Sequence, residues 1–231
     1  MKREINHVTV RSARIETPLT LALVADLHDG PFDDLTPELC KCDAILIVGD
    51  LVERHHGLYR NAIRFVEAAP EIAPTFYAIG NHERKLKALA DYWPHVERSR
   101  VTVLDDRFVS FKGITLGGLT SRAPGEVRAE FLGSMEKQSG FRLLMCHHPE
   151  YYQKYIAGCD IDLTVSGHAH GGQVRIGSQG LYAPGQWWLP KLTSGFYFDG
   201  RLFVSRGLTN ATWAPRINCN CELVVLHLEK A

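Results

Sequence analysis

Leu19-Thr20-Leu21-Ala22-Leu23-Val24-Ala25-Asp26-Leu27-His28 is a nearly unbroken apolar run that stops at a carboxylate and an imidazole. Successive side chains of a strand point to opposite faces, so a run apolar at almost every position describes a strand covered on both sides. Strands of that kind belong to layered α/β folds, where other elements close over each face of the sheet. The polar end of the run carries the second half of the signal.

The same pattern recurs four times. The apolar run 44–48 ends at Gly49-Asp50, and 75–79 ends at Gly80-Asn81-His82-Glu83. Run 141–146 ends at His147-His148-Pro149, and 161–165 ends at Ser166-Gly167-His168-Ala169-His170-Gly171-Gly172-Gln173. In layered folds with parallel strands, ligands gather at the carboxyl ends of the strands, so the five clusters are expected to converge on one crevice. In the last of them the flanking glycines free the backbone to turn both imidazoles toward one point.

Between these runs the periodicity changes to that of helices. Helices are expected over 35–41, with Thr36 as cap and Pro37 in the first turn, and over 58–69, closed by Pro70. Others are expected over 85–92, stopped by Pro94, over 126–138, and briefly from Pro149. Segments 101–104, 108–111 and 114–118 read as a meander that opens a second sheet. Segments 173–176, 195–198, 202–204 and 223–226 alternate as antiparallel β-structure. Residues 179–191, with Pro184, Gly185, Trp187, Trp188 and Pro190, read as an ordered loop. With no repeat, linker or low-complexity tract, the expectation is a single α/β domain over 1–231.

Composition narrows the function classes. Twenty-six Lys and Arg balance 26 Asp and Glu, so no field of one sign gathers nucleic acid or an anionic membrane. The six cysteines (Cys40, Cys42, Cys146, Cys159, Cys219, Cys221) form no C-x-x-C pair, which reads as reduced thiols rather than a zinc ribbon or redox dithiol. No apolar h-region follows the first charges and no apolar run approaches a membrane span. A soluble cytoplasmic protein is expected, with peripheral membrane association left open.

Asp26, His28, Asp50, Asn81, His147 (or its neighbour His148), His168 and His170 are carboxylates, imidazoles and one amide, with no thiolate. Such a set suits Mn²⁺, Fe²⁺, Zn²⁺ or Co²⁺ more than calcium or a structural zinc. Seven donors exceed one tetrahedral ion. Two ions about 3.5–4 Å apart, bridged by one carboxylate, would use them all. Taken singly, each histidine reads as an ordinary loop residue; the joint pattern is what points to metal.

Asp26-x-His28, Gly49-Asp50, Gly80-Asn81-His82-Glu83, His147 and Gly167-His168-Ala169-His170 resemble, in order and spacing, the calcineurin-like metallophosphoesterases. Beyond them, Gly171-Gly172-Gln173, Ser205-Arg206-Gly207-Leu208 and Glu222-Leu223-Val224-Val225 resemble the family's bacterial phosphodiesterase branch, which includes membrane-anchored members. The resemblance implies a sandwich of two mixed β-sheets flanked by helices. It implies that Asp26, His28 and His170 hold one ion, that Asn81, His147 and His168 hold the other, and that Asp50 bridges them. It also implies in-line attack on phosphorus by a hydroxide shared between the ions, with His82 facing the phosphate as the catalytic imidazole.

The implied function is a metal-dependent phosphoesterase acting on phosphodiesters or pyrophosphate links, with Mn²⁺ or Fe²⁺ ahead of Zn²⁺ or Co²⁺. A nucleotide, a nucleotide-sugar lipid or another phosphodiester would serve as substrate. The competing reading is a binding module that keeps the fold and has lost the chemistry; the completeness of the ligand set and of His82 favours catalysis. His55 and His56 can reach substrate and Arg175, Arg206 and Arg216 can pair with a substrate phosphate, although such side chains more often lie solvated; of these, His55 and Arg206 are taken as the candidate substrate contacts. Trp187 and Trp188 can stack on a base, line an acyl pocket, cap the site or simply pack.

Overall fold

The structure, a computed structural model, describes residues 3–87, 89–123, 125–210 and 215–231. Two six-stranded sheets carry the chain. The first has the order β1 (Arg3–Ser12), β16 (Cys221–Lys230), β2 (Leu19–Val24), β3 (Ala44–Ile47), β4 (Thr75–Tyr77), β5 (Thr102–Val103). The second runs β14 (Gly195–Tyr197), β15 (Leu202–Val204), β9 (Leu163–Ser166), β8 (Phe141–Cys146), β7 (Ile114–Leu119), β6 (Arg107–Phe111). Both are mixed: β2, β3, β4 and β5 are parallel, as are β7, β8, β9 and β15, whereas β16 runs antiparallel to β2 and β6 to β7.

Side-chain alternation builds the layers. Leu21 and Leu23 of β2 and Leu46 of β3 pack with Leu116, Leu143, Met145 and Val165 of the second sheet, so the two sheets face each other. Ala22, Val24, Ile45 and Ile47 point the other way, onto Phe65, Val66 and Ala69 of α2 (Arg60–Ile72) and Tyr92 and Val96 of α4 (Leu89–Arg98). Leu144, Cys146 and Val204 on the far side of the second sheet meet Leu132 and Met135 of α5 (Leu132–Met135) and Tyr152 and Ile156. The strands that read as continuous apolar runs are those covered on both faces. This is the sandwich of two mixed sheets flanked by helices.

Several elements differ from expectation. Arg3–Ser12, to which the sequence assigns no element, is a strand, which at the sheet edge alternates between half-buried and exposed positions. Residues 102–103 join the first sheet beside β4, with α4 as the parallel crossover, rather than the meander. Pro70 and Pro94 lie inside α2 and α4 instead of ending them. Each removes one N–H and one helical bond, which burial of Phe65, Val66 and Ala69, or of Tyr92 and Val96, outweighs.

The stretch 126–138 contributes only α5; Gly133 and Ser134 sit in its middle, and Leu132 and Met135 are what it buries. Short α1 (Thr36–Leu39) follows a 3-10 turn at Asp33–Leu35, so Thr36 lies inside rather than capping. Beyond α3 (Asn81–Lys85) the expected helix 85–92 starts later, and its position 88 lies outside the described residues. Residues 175–188 form two small antiparallel hairpins, β10–β11 (Arg175–Ile176, Gln179–Gly180) and β12–β13 (Tyr182–Ala183, Trp187–Trp188), where the sequence reads as strand and then loop. None of the six cysteines is in a disulfide. Among the described residues no helix is long and apolar enough to cross a membrane.

Candidate metal centre

Asp26 and His28 follow β2, Asp50 follows β3, and Asn81 opens α3 just after β4; His147 follows β8, and His168 and His170 follow β9. These five strands end at the same edge of the sandwich, three from one sheet and two from the other. Cross-sheet bonds lock the two sets together. The backbone N–H of His168 donates to both Asp26 oxygens at 3.0 and 3.2 Å, and His147 Nδ1 donates to the Val48 carbonyl at 2.8 Å.

Backbone strain concentrates here. Asp26 (φ 55°), His28 (46°), Asp50 (56°), His168 (66°) and His170 (46°) all occupy the left-handed region. Side chains rarely adopt it, and clusters of such residues persist where surrounding structure over-determines them. The sharp turn of Gly167-His168-Ala169-His170 is therefore made by the histidines themselves. Gly171 (φ 65°) and Gly172 (φ 78°) prolong that turn, while close approach also demands glycine: a Cβ on Gly80 would fall on Asp50 Oδ1, and one on Gly49, itself at φ 87°, would lie 2.8 Å from His147 Nδ1.

The side chains form two groups. Asp26, His28 and His170 offer donor atoms within 4.8 Å of one another, as do Asp50, His147 and His168. Asp50 also lies within that range of His28 and His82, so it stands between the groups. His147 Nε2 is 3.0 Å from Asp50 Oδ2 and 3.9 Å from Asp26 Oδ1; His28 Nε2 and His170 Nε2 are 3.6 and 3.7 Å from Asp26 Oδ1. His148 lies beside the centre, its ring centroid 4.0 Å from that of His168, but its Nδ1 meets Glu150 Oε1 at 2.9 Å and its ring stacks on Tyr151; these two residues, His148 and Glu150, and His168 also offer donor atoms within 4.8 Å of one another.

Three buried atoms at this centre have no hydrogen-bond partner, both ring nitrogens of His28 and Asn81 Oδ1, while His147 Nε2 faces the Asp50 carboxylate. Buried polar atoms are ordinarily paired, so an unpartnered imidazole and amide oxygen beside two carboxylates fit a cation. Electrostatics agree. Burial works to raise the Asp26 carboxyl, yet the imidazoles of His170, His28 and His147 hold it at about 2, and Asp50 lies well below the ordinary range beside His147 and His82. Burial likewise opposes a proton on His147, but Asp50 lifts it to about 10. Burial strips protons from His168, from His170 (down to about 3) and from His82 (down to about 4). A cation can take over the countercharge that His147 supplies, since metal binding displaces protons from its ligands.

A cavity of about 410 Å³ opens over the centre, with His28, Asp50, Asn81, His82, His168 and His170 in its wall. His82 stands edge-on to His28, ring centroids 4.4 Å apart. Glu53 accepts from the backbone N–H groups of His55 and His56, which fixes a loop carrying Arg54, His55 and His56 to the cavity mouth. Arg54 is absent from the sequence reading; a cation four residues past Asp50 was its signal. Arg206 does not line the cavity: its guanidinium is committed to Glu222 and Glu4. Arg175 donates to the carbonyls of Gly171 and Ser178, and Arg216 to those of Arg206 and Thr209, so both brace loops. His55 is exposed on the cavity rim, and Trp187 and Trp188 are exposed on β13.

The chain is 29% identical to an uncharacterized metallophosphoesterase of Campylobacter jejuni, over 98% of this chain and 63% of that protein, so it spans somewhat under two thirds of that relative. It is 26% identical to the protein YpbG of Bacillus subtilis, over 91% of this chain and 81% of that one. Against the phosphodiesterase YaeI of Escherichia coli the identity is 25%, over 91% and 82%. The match to the calcineurin-like phosphoesterase family runs through residues 19–172, from the first residue of β2 past His170, and the chain belongs to that family.

Proposed function

We propose that the chain is a phosphodiesterase or pyrophosphate-cleaving hydrolase that works with two divalent ions at the ends of β2, β3, β4, β8 and β9. The observation that carries this reading is the set of unpartnered buried atoms on His28 and Asn81 beside Asp26 and Asp50, with His147 Nε2 turned to Asp50. Asp26, His28 and His170 would hold one ion, and His147 and His168 with Asn81 the other, with Asp50, which stands between the His-bearing groups, serving both. Nitrogen and oxygen donors without thiolate suit Mn²⁺, Fe²⁺, Zn²⁺ or Co²⁺. When bound, such ions acidify a water as nucleophile and place positive charge against the phosphoryl oxygens.

The chain's own groups do the rest. Asp50 and Asp26 are kept ionised by their surroundings. The Val48 carbonyl accepts the hydrogen bond from His147 Nδ1–H, which leaves Nε2 as the atom to offer a cation. His82 supplies a neutral imidazole beside Asp50, placed to donate to a phosphoryl or leaving oxygen. Arg54 and His55 at the mouth offer a cation and a second imidazole to the distal part of the substrate. A small phosphorylated substrate suits the cavity's size, and the name of the YaeI relative supports a diester.

Elemental analysis of the purified chain and of Asp50→Asn, with bis-p-nitrophenyl phosphate turnover after Mn²⁺ loading, tests the reading. About two ions per chain and their joint loss with turnover in Asp50→Asn are expected. A wild-type chain that binds no metal and hydrolyses neither this diester nor p-nitrophenyl phosphate would overturn it.

A further inference from the structure

Four of the large apolar side chains that stand exposed lie on the two consecutive hairpins: Ile176, Trp187, Trp188 and Leu189, with between 64% and 71% of their surface in water. The hairpins are held together. Leu189 N donates to Leu181 O, Leu181 N donates to Val174 O, and Gln179 Nε2 donates to Pro190 O at 3.0 Å. Trp187 (φ 61°) and Leu189 (φ 51°) both sit in the left-handed region, uncommon for bulky residues. Tyr182 meets both indoles edge-on, with centroids 6.4 Å from Trp187 and 5.7 Å from Trp188. Tyr182 is also part of the cavity wall, so the apolar tip and the cavity mouth share one hairpin.

The charge pattern singles out the same stretch. No Asp or Glu occurs between Asp162 and Asp199 in a chain that has 26 of them; the charged side chains there are Arg175 and the exposed Lys191. Exposed tryptophans beside leucine and isoleucine are costly in water. Their amphipathic rings suit the boundary between headgroups and acyl chains, and the exposed Lys191, in a groove whose one acid among the described residues is Glu150, suits anionic headgroups.

We propose that the two hairpins dock on a lipid bilayer bearing anionic headgroups, and that the cavity is thereby presented to phosphoesters at the membrane surface. The docking surface stands on the hairpins alone; the substrate half rests on the phosphoesterase reading above.

The full chain is mixed with vesicles of phosphatidylcholine, with or without phosphatidylglycerol, and assayed by flotation and by quenching of tryptophan emission with brominated acyl chains. Flotation and quenching on the anionic vesicles are expected. The pair Trp187→Ser and Trp188→Ser lowers partition by about tenfold or more and removes the quenching, and Lys191→Glu weakens binding to anionic vesicles selectively. Turnover of bis-p-nitrophenyl phosphate without vesicles stays at the wild-type rate in both variants, which also reports that they fold. Absence of flotation, or a double variant that floats like wild type, overturns the proposal. So does a dimer in light scattering that the double variant dissolves while vesicles stay unbound, since the patch would then join two copies. Vesicle binding without turnover upholds the docking surface and overturns the enzymatic reading instead.

Discussion

The backbone N–H of Arg54 donates to Nδ1 of His82 across 3.3 Å. A neutral imidazole whose Nδ1 accepts carries its proton on Nε2, and that atom lies 3.9 Å from Asp50 Oδ2, outside hydrogen-bond reach. His82 is thereby a neutral donor in the cavity wall. His82→Ala should lower kcat on bis-p-nitrophenyl phosphate by about 10²–10⁴-fold while metal content stays at the wild-type value. Steady-state kinetics beside elemental analysis check this, and a parallel loss of metal would make His82 a ligand.

Glu83 is fully buried and spends both oxygens on the loops that carry Asp50 and Asn81. Oε2 accepts from the backbone N–H groups of Asp50 and Gly80 at 3.0 Å each, and Oε1 from that of Leu51 at 2.6 Å. A glutamine there must turn its own N–H groups toward at least one of these donors. Glu83→Gln should cost about 1–3 kcal/mol in urea unfolding and release metal faster into a chelator.

Two glycines separate crowding from backbone strain. Gly80 has an ordinary extended backbone, φ −85° and ψ −177°, and yet a Cβ there would meet Asp50 Oδ1 and lie 2.5 Å from Asp50 N. Gly113 has φ +84° and open space around a Cβ. Gly113→Ala should cost about 1–2 kcal/mol from the left-handed backbone alone and leave activity intact. Gly80→Ala should cost a comparable about 1–3 kcal/mol by overpacking and also displace Asp50, lowering turnover. Equal activity in the two variants would contradict the crowding.

An exposed cluster sets an acid limit. Arg14 donates to both oxygens of Asp160 at 3.0 Å, and Arg142 lies 2.6 Å from Asp160 Oδ2. These guanidiniums hold the Asp160 carboxyl well below its ordinary 3.8. A carboxyl more acidic in the folded chain stabilises it above the unfolded value and loses that contribution as pH falls. Asp160→Asn should melt modestly below wild type at neutral pH, modestly because the pair is solvated, and the two melting temperatures should converge as pH falls below about 4.

The buried strands were legible because Leu21, Leu46 and Leu143 face one layer while Ala22, Ile47 and Leu144 face another, and covering both faces leaves an apolar run in the sequence. The candidate ligands were legible because parallel strands deliver their last residues to one edge. Arg3–Ser12 was not, since an edge strand keeps one face and one side in water and its Arg3, Glu4 and Arg11 leave no apolar run to mark it. Helix ends at Pro70 and Pro94 were misread because local propensity yields to the burial of Phe65 and Tyr92. Arg206 and Arg54 exchange places with respect to the cavity for a reason only tertiary structure supplies: Glu222, on β16, captures the first, and Glu53 anchors the loop that carries the second.

In the first sheet β16 lies between β1 and β2, so β1 has no strand partner other than residues 221–230. Of the described strands β16 is also the last to leave the ribosome. During synthesis the edge of β2 stays open and β1 stays unpaired until that segment emerges, whatever order the inner strands assemble in. Glu222, which fastens both Arg206 and Asn6, arrives with it. A nascent chain halted before Cys221 therefore exposes an apolar, unpaired strand edge, and such chains are the ones expected to need a chaperone or to aggregate.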